Sequence, residues 1–387
     1  MKKLVAIAVA AMFLLTAGQA FAKELYIGVL SDLTGGTAAV GTPYGAGVMA
    51  AGKYLNSQGG VAGYTLKLDQ VDYAYKVQQA LSAYKKFKGN GMVALQGWGT
   101  GDTEALTKTV AKDKIPTFSA SYSAHLTDPT KAPYNFFIAA DYSTQARGAL
   151  KYIKNNWKEK RAPRLALLYP DHPYGLSPIP AIKAYAKELG FDLVGEEVVG
   201  LRAMDATTQL LSLQKKKPDF AWIGGTTSSA AVIMKDAKKL KMDTVFISNI
   251  WGADENIFKL AGDAANGNIS LQTAVVWGAD VPGMKVLKEF TGNEAQMTHF
   301  IRGFASMMTM AEGIKIAAAK GEVTGPSIKA ALETLKDYSP MGLTPPLTYT
   351  GKDHRPNLSV NIYKLMDGKM ELQETVTLDR RADWLGI

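Results

Sequence analysis

The chain contains no cysteine, so no disulfide framework, thiolate metal site or cysteine nucleophile can be built from it. The same absence argues against a lipid anchor attached through a processed N-terminal cysteine. Stability must come from core burial. Histidine is scarce: His125, His172, His299 and His354 are the only four, and no two stand at a metal-ligand spacing such as HExxH. No GxSxG nucleophile elbow and no phosphate-binding GxxxxGK[ST] loop occurs. Gly89-Asn90-Gly91 opens a GxGxxA run. It precedes a strand, whereas a dinucleotide fingerprint follows one, so it reads as a turn. These absences speak against an enzyme and against a cofactor or metal. A secreted α/β hydrolase is the alternative from another class, and it would need a nucleophile–His–acid set that four histidines scarcely supply.

Long apolar runs are also missing, apart from Leu4–Leu15 near the start. That run falls short of the ~20 residues a spanning helix needs. Lys2 and Lys3 precede it and the small-residue site Ala20-Phe21-Ala22 follows. Residues 1–22 therefore read as a secretory signal peptide cleaved before Lys23, and the mature chain as exported and soluble.

What is present is globular. The 387 residues are 47% hydrophobic and 20% charged, enough for two domains of ordinary size. The formal charge of +9 is dispersed over helix faces, as in Lys85-Lys86, Lys215–Lys217 and Lys238-Lys239. A nucleic-acid surface concentrates its charge in a stripe with interleaved aromatics, so no nucleic-acid partner is expected.

The organising stretch is Met92–Ser123. It reads as a buried strand (Met92–Gln96), a turn with Gly97, Gly99 and Gly101, a helix, and a strand from Ile115 ending in Ser119, Ser121 and Ser123. That is a βαβ unit. Phe220–Ser248 repeats it as strand, Gly224-Gly225-Thr226-Thr227, helix and strand, ending Ser248-Asn249-Ile250-Trp251. Ligands of open parallel sheets sit beyond the carboxyl ends of the strands, so two such units predict two lobes facing one cleft. Thr100, Ser121 and Ser123, with the helix N-terminus after Gly101, suit a small anion or carboxylate. The same residue types also serve as ordinary caps and turn formers. Trp98 and Trp251 occupy corresponding strand ends and are placed to sandwich a flat ligand. Tyr122 and Tyr174 add further aromatic surface.

The rest of the chain alternates in the same way. Strands are expected at Glu24–Leu33, Tyr64–Asp72, Tyr134–Ala139, Arg164–Tyr169 and Phe191–Val198, with a return strand over Gly267–Val276. Helices are expected over about Pro43–Asn56, Lys76–Phe87, Tyr142–Trp157 and Met297–Ala319. The tail carries two strands about the turn Asp367-Gly368. The fold class is α/β: two doubly wound parallel-sheet lobes joined by crossover strands. Lobe 1 is assigned to residues 23–141 plus 275–355, and lobe 2 to residues 142–274 plus 356–387.

With export, two lobes and hydroxyl-lined strand ends together, the chain resembles the periplasmic substrate-binding proteins of branched-chain amino acid ABC transporters, the leucine/isoleucine/valine-binding family. The resemblance covers essentially the whole mature chain. It is carried by Ile27-Gly28-Val29 with Leu33-Thr34-Gly35, Ala50–Gly63, Val71-Asp72, Pro173-Tyr174-Gly175, Ala221–Gly225, Leu260–Asp263 and Pro346–Gly351. It implies a type I periplasmic binding fold, a periplasmic location and a monomer whose lobes close on a small molecule and present it to an inner-membrane permease. A periplasmic receptor that reports its ligand to a sensor is a second role within this class.

The resemblance also implies site residues. Thr100 and the Ser121-Tyr122-Ser123 segment match the carboxylate-holding positions. Tyr174 matches the aromatic that closes over the ligand. Thr226 and Thr227 stand where the family often has a second aromatic. The family's ammonium-pairing acid follows the strand Val245–Ser248, and here that segment reads Ser248-Asn249-Ile250-Trp251-Gly252. An ammonium would have to find Asp102, Asp171 or the face of Trp251. The cargo is thus expected to be a branched-chain or aromatic amino acid, or an amine-free aromatic acid, held by Trp98, Thr100, Ser121, Tyr122, Ser123, Tyr174, Thr226, Thr227, Asn249 and Trp251.

Overall fold

A computed structural model describes residues 23–387. The expected signal peptide lies outside the described residues. Lys23–Ser31 (β1), Tyr64–Asp72 (β2), Ala94–Gly97 (β3), Thr117–Ser119 (β4) and Asn135–Phe136 (β5) form one sheet in the order β2-β1-β3-β4-β5. Every pairing in it is parallel. Arg164–Tyr169 (β6), Asp192–Val198 (β7), Phe220–Ile223 (β8), Val245–Ser248 (β9), Ile269–Gln272 (β10), Ser359–Met366 (β11) and Lys369–Thr377 (β12) form the other, in the order β12-β11-β10-β9-β8-β6-β7. Strands β6 to β10 are parallel, while β11 and β12 add an antiparallel edge.

The first five strands of each sheet follow one rule: the second lies outside the first, and the third, fourth and fifth step away on its other side. Such a sheet reverses direction beside its first strand, and the reversal opens a crevice at the carboxyl ends. β1 is buried along Leu25–Ser31 because helices cover both faces of the sheet, which removes the polar alternation of a half-exposed strand.

The helices of the first sheet are Ala38–Ser57 (α1), Val77–Gly89 (α2) and Thr100–Asp113 (α3). Tyr142–Asn156 (α4) opens the second set, with Pro173–Leu176 (α5), Ile179–Glu188 (α6), Thr207–Gln214 (α7), Thr227–Lys239 (α8) and Ile257–Ala261 (α9). Three more, Pro282–Phe290 (α10), Thr298–Ala319 (α11) and Gly325–Leu332 (α12), return to the first sheet, where their buried side chains join its core. The chain therefore crosses between lobes three times: between β5 and α4, after β10, where Val275 N–H donates to Leu343 O at 3.1 Å, and between His354, bonded to Thr127 O at 2.9 Å, and β11.

α1 begins five residues before the expected start at Pro43, which lies inside it. The cause is Asp32. Its carboxylate accepts from Gly35 N–H at 2.5 Å, Thr37 N–H at 2.8 Å and the Thr37 hydroxyl at 2.6 Å. Those bonds satisfy donors that a helix start leaves free, so the turn nucleates ahead of the proline. α1 and α11 then cross at glycines. A Cβ on Gly47 would stand 2.0 Å from Phe300 O, and one on Gly303 would stand 2.0 Å from Tyr44 O. This close approach brings Tyr44 of α1 against the buried face of α11. Among the described residues no helix is long and apolar enough to cross a membrane.

Candidate functional site

A cavity of about 20 Å³, room for about one water molecule, lies between the two sheets and is walled by the segments that follow the strands. Thr37 comes from the β1–α1 turn and Val40 from the first turn of α1, Tyr75 from the β2–α2 turn, Trp98, Gly99 and Thr100 from β3–α3, and Ala120 from just after β4. The other wall is Tyr142 at the start of α4, Tyr174 after β6, Thr226 after β8 and Trp251 after β9. Five aromatic rings and three threonines thus meet in one space, which in this closed arrangement is far below the ~300–1,000 Å³ of drug-sized sites, so a cargo needs the lobes to part or the rings to move.

The local sequence explains each placement. Gly99 is required by close approach, since a Cβ there would stand 2.3 Å from Asp102 Oδ1 and 2.5 Å from the Tyr75 ring. Ala74 and Tyr75 both take left-handed backbone, at φ of 50° and 57°. Such conformations cost a non-glycine residue ~1–2 kcal/mol and persist where the surroundings fix them. Here Asp72 Oδ1 accepts from Ala74 N–H at 2.9 Å, and Tyr75 stacks on His172 of the opposite lobe at 5.1 Å between centroids. His172 Nδ1 accepts from Tyr174 N–H at 3.2 Å, which starts α5 and aims Tyr174 inward. The Tyr174 hydroxyl donates to Gly225 O at 2.8 Å and accepts from Asn249 Nδ2 at 2.8 Å.

The indoles are fixed as firmly. Trp98 Nε1 donates to the Thr37 hydroxyl at 2.9 Å, and Trp251 Nε1 donates to the Tyr142 hydroxyl at 3.0 Å. Burial raises the pKa of Tyr75, Tyr142 and Tyr174 above the usual phenol value, so all three hydroxyls stay protonated.

Of the residues expected from sequence, Trp98, Thr100, Tyr174, Thr226 and Trp251 line the cavity. Ser121, Tyr122, Ser123, Thr227 and Asn249 stand one layer behind. Ser121 donates to Thr100 Oγ1 at 2.8 Å, Ser177 of the second lobe donates to Ser123 Oγ at 2.9 Å, and Thr227 donates to Asp254 at 2.6 Å. Trp98 and Trp251 do not sandwich a ligand in this closed arrangement. Their centroids are 5.0 Å apart at 69°, an edge-to-face contact that leaves no gap for a ring. Tyr122 instead stacks on Trp251, at 5.5 Å and 12°.

The charged groups around the cavity are only partly paired. Asp102 is buried behind Gly99, takes the Tyr73 hydroxyl at 2.7 Å, and is pushed up to about 7 by burial. Asp171 is exposed. Asp254 is buried and accepts from Thr227 and from Asn256 N–H at 2.7 Å, with His299 Nε2 also at 2.7 Å. Glu255 reaches α11 and accepts from Thr298 N–H at 3.1 Å. His299 in turn touches the guanidinium of Arg302, which is fully buried and lies over the Trp251 ring at 4.1 Å from its centroid. Sequence reasoning missed Thr37, Val40, Tyr75, Ala120 and Tyr142 in the wall, and Tyr44, His299 and Arg302 behind it. Tyr142 had a visible signal in Asp141, whose carboxylate caps α4 through Thr144 N–H at 2.8 Å.

Two doubly wound lobes closed on an aromatic-lined cleft between their strand ends define the type I periplasmic binding fold. A family model described as periplasmic binding protein matches residues 24–369, and the chain belongs to that family. It is similar to the Leu/Ile/Val-binding protein of Citrobacter freundii, 24% identical over 250 residues, covering 64% of this chain and 67% of the relative. Among solved structures it is similar to an ABC transporter substrate-binding protein of Aeropyrum pernix, 31% identical with a TM-score of 0.87, covering 94% of this chain and 98% of that one. A branched-chain amino acid ABC transporter protein of Thermus thermophilus with bound valine has the same fold, at 22% identity and a TM-score of 0.86, covering 92% and 97%.

Proposed function

We propose that this chain captures a small carboxylate with a hydrophobic or aromatic side chain by closing its lobes, and delivers it to the permease of an ABC importer. The observation that carries this reading is the cavity. Five rings drawn from both lobes enclose a small space lined otherwise by three threonines, Val40, Gly99 and Ala120, with no charged residue. Apolar walls with a few fixed polar groups suit a compact, largely hydrophobic molecule. The names of the similar proteins agree, since one binds Leu, Ile and Val and another holds valine.

The finer reading favours a cargo without an ammonium, or one whose ammonium meets an aromatic face. Asp254 and Glu255 follow β9 but are bound to His299, Thr227 and Thr298 and do not line the cavity. An unpaired ammonium in such a space would be desolvated without a carboxylate partner. In this reading the protein works as a periplasmic monomer after removal of residues 1–22, with lobes divided at 141/142, 274/275 and 355/356.

Calorimetric titration of the mature protein with leucine, phenylalanine, benzoate, 4-hydroxycinnamate and hexanoate tests the proposal. Saturable one-to-one binding of at least one is expected. Absence of binding to all five would overturn it.

A further inference from the structure

We propose that Arg302, with the hydroxyls of Tyr44 and Tyr122, forms a carboxylate-binding set in the first lobe, and that Trp251 of the second lobe covers this set when the cleft closes empty. The inference rests on the reading that the cargo is a small carboxylate, and it names the groups that recognise its charged end.

The guanidinium makes few bonds for its burial. Nη2 donates to Ile250 O at 3.0 Å and to His299 Nδ1. His299 Nδ1 can accept only if Nε2 carries the proton, and Nε2 faces Asp254 at 2.7 Å, where that proton is held. The imidazole is therefore neutral and stands between Arg302 and the carboxylate of Asp254. Burial and the nearby guanidinium both lower its pKa, in agreement with that form. Among the described residues, Arg302 Nε and Nη1 have no hydrogen-bond partner, and the Tyr44 and Tyr122 hydroxyls, which face each other with Ser306 beside Tyr44, make no bond of good geometry. All three side chains are buried. A buried donor without an acceptor keeps its full desolvation penalty, and a charged one the most. A carboxylate would supply the acceptors, and a guanidinium edge is the donor arrangement that fits it in two places at once.

These groups surround one object. Arg302 lies over the Trp251 ring at 4.1 Å, Tyr122 stacks on it at 5.5 Å, and Tyr44 meets it at 5.9 Å and 66°. Arg302, Tyr44 and Tyr122 belong to α11, α1 and the segment after β4, all of the first lobe. Trp251 comes from the loop after β9 in the second. Parting the lobes withdraws the indole and leaves a flat slot with aromatic sides and a cationic floor.

The seat expected at the start of α3 is occupied in a different sense. Asp102 places a buried carboxyl in that first turn, the Ser121 hydroxyl donates to Thr100 Oγ1, and the Ser123 hydroxyl donates to Glu104 and accepts from Ser177. Among the buried groups around the cleft, Arg302 carries the unused charged donors, with the Thr226 hydroxyl as a neutral one.

The test compares the wild-type mature protein with Arg302→Met and with the double variant Tyr44→Phe/Tyr122→Phe. Each is titrated calorimetrically with benzoate, 3-phenylpropanoate, 4-hydroxycinnamate and hexanoate, and with the primary amide of each. The wild type is expected to bind at least one acid well over 10-fold more tightly than its amide. The phenylalanine pair should lose roughly 10- to 100-fold for that acid and little for the amide, because only hydroxyls are removed. Arg302→Met should lose at least as much. If Arg302→Met fails to fold, the double variant decides, since it keeps every ring. Acid affinity within about twofold of wild type in the folded variants would overturn this inference and leave the proposed function standing. A wild type that binds none of these acids would overturn this inference, and the proposed function with it if leucine and phenylalanine also fail to bind; amides bound equally well would overturn both.

Discussion

Tyr174 shows how one side chain serves both fold and cleft. Its hydroxyl bonds only within the second lobe, to Gly225 and Asn249, while its ring lines the cavity and meets Tyr142 edge-on at 5.4 Å. Replacing it by alanine removes the cavity wall and leaves the sheets unaltered. Tyr174→Ala should weaken cargo binding by about 1–3 kcal/mol, the scale of an aromatic's burial. Titration against wild type with the circular dichroism unchanged checks it, and unchanged affinity would remove Tyr174 from the site. Asp102 gives a different signature. Its carboxyl titrates at about 7 in the folded chain because burial disfavours the charge, against about 3.9 in an unfolded one. Between those values the folded state holds a proton that the unfolded state has released, so stability falls as pH rises from about 4 to 7. At ~1.4 kcal/mol per unit the effect is about 4 kcal/mol at most. The melting temperature of Asp102→Asn should therefore fall less than that of wild type between pH 5 and pH 8; parallel profiles would contradict the assignment. At this scale the sequence showed the residues next to glycine turns, such as Trp98, Thr100, Tyr174 and Thr226. It hid those whose place depends on distant packing. Nothing local to Arg302 or Tyr44 marks them, since each stands within a helix and reaches the site only through the α1–α11 crossing.

At the scale of elements, that crossing is the feature on which the rear wall depends. Gly47 and Gly303 let two helices approach until a Cβ on either would overlap the other's backbone carbonyl. Gly303→Ala must push α11 away from Tyr44. Overpacking of this kind costs ~1–3 kcal/mol, and chemical denaturation should read a loss in that range or above. A loss under about 0.5 kcal/mol, ordinary for an open site, would show that the helices are not so close. The junction after β9 is a second such element. Glu255 caps α11 from the opposite lobe through Thr298 N–H at 3.1 Å, so Glu255→Ala should destabilise the chain by about 1 kcal/mol, the usual worth of a helix cap. Equal denaturation midpoints would contradict that role. Neither junction was legible. Strand positions were, because apolar runs bounded by glycine and proline fix them; Arg164–Tyr169 and Tyr64–Asp72 fall where the pattern puts them. Starts of helices were less so. α1 nucleates at Asp32 through side-chain bonds that composition does not reveal, and α9, at five residues, is too brief to show a period.

At the scale of the whole molecule, the repeated strand–Gly/Thr–helix unit pointed to two lobes, and the first five strands of the two sheets indeed share one order. The return of α10–α12 to the first sheet is the part that repetition could not indicate, since those helices have no counterpart in the other half. Closure brings His172 onto Tyr75, Ser177 onto Ser123 and Trp251 between Tyr122 and Arg302, so every wall of the cavity depends on both lobes. Cargo that completes such a space binds the folded chain alone and must stabilise it. The most direct measurement is thermal denaturation of the mature protein with each hydrophobic carboxylate and its primary amide side by side. A carboxylate present at a hundred times its Kd should add ~2.7 kcal/mol of apparent stability, while its amide adds far less. No shift with any carboxylate, or equal shifts with the amides, would contradict the account.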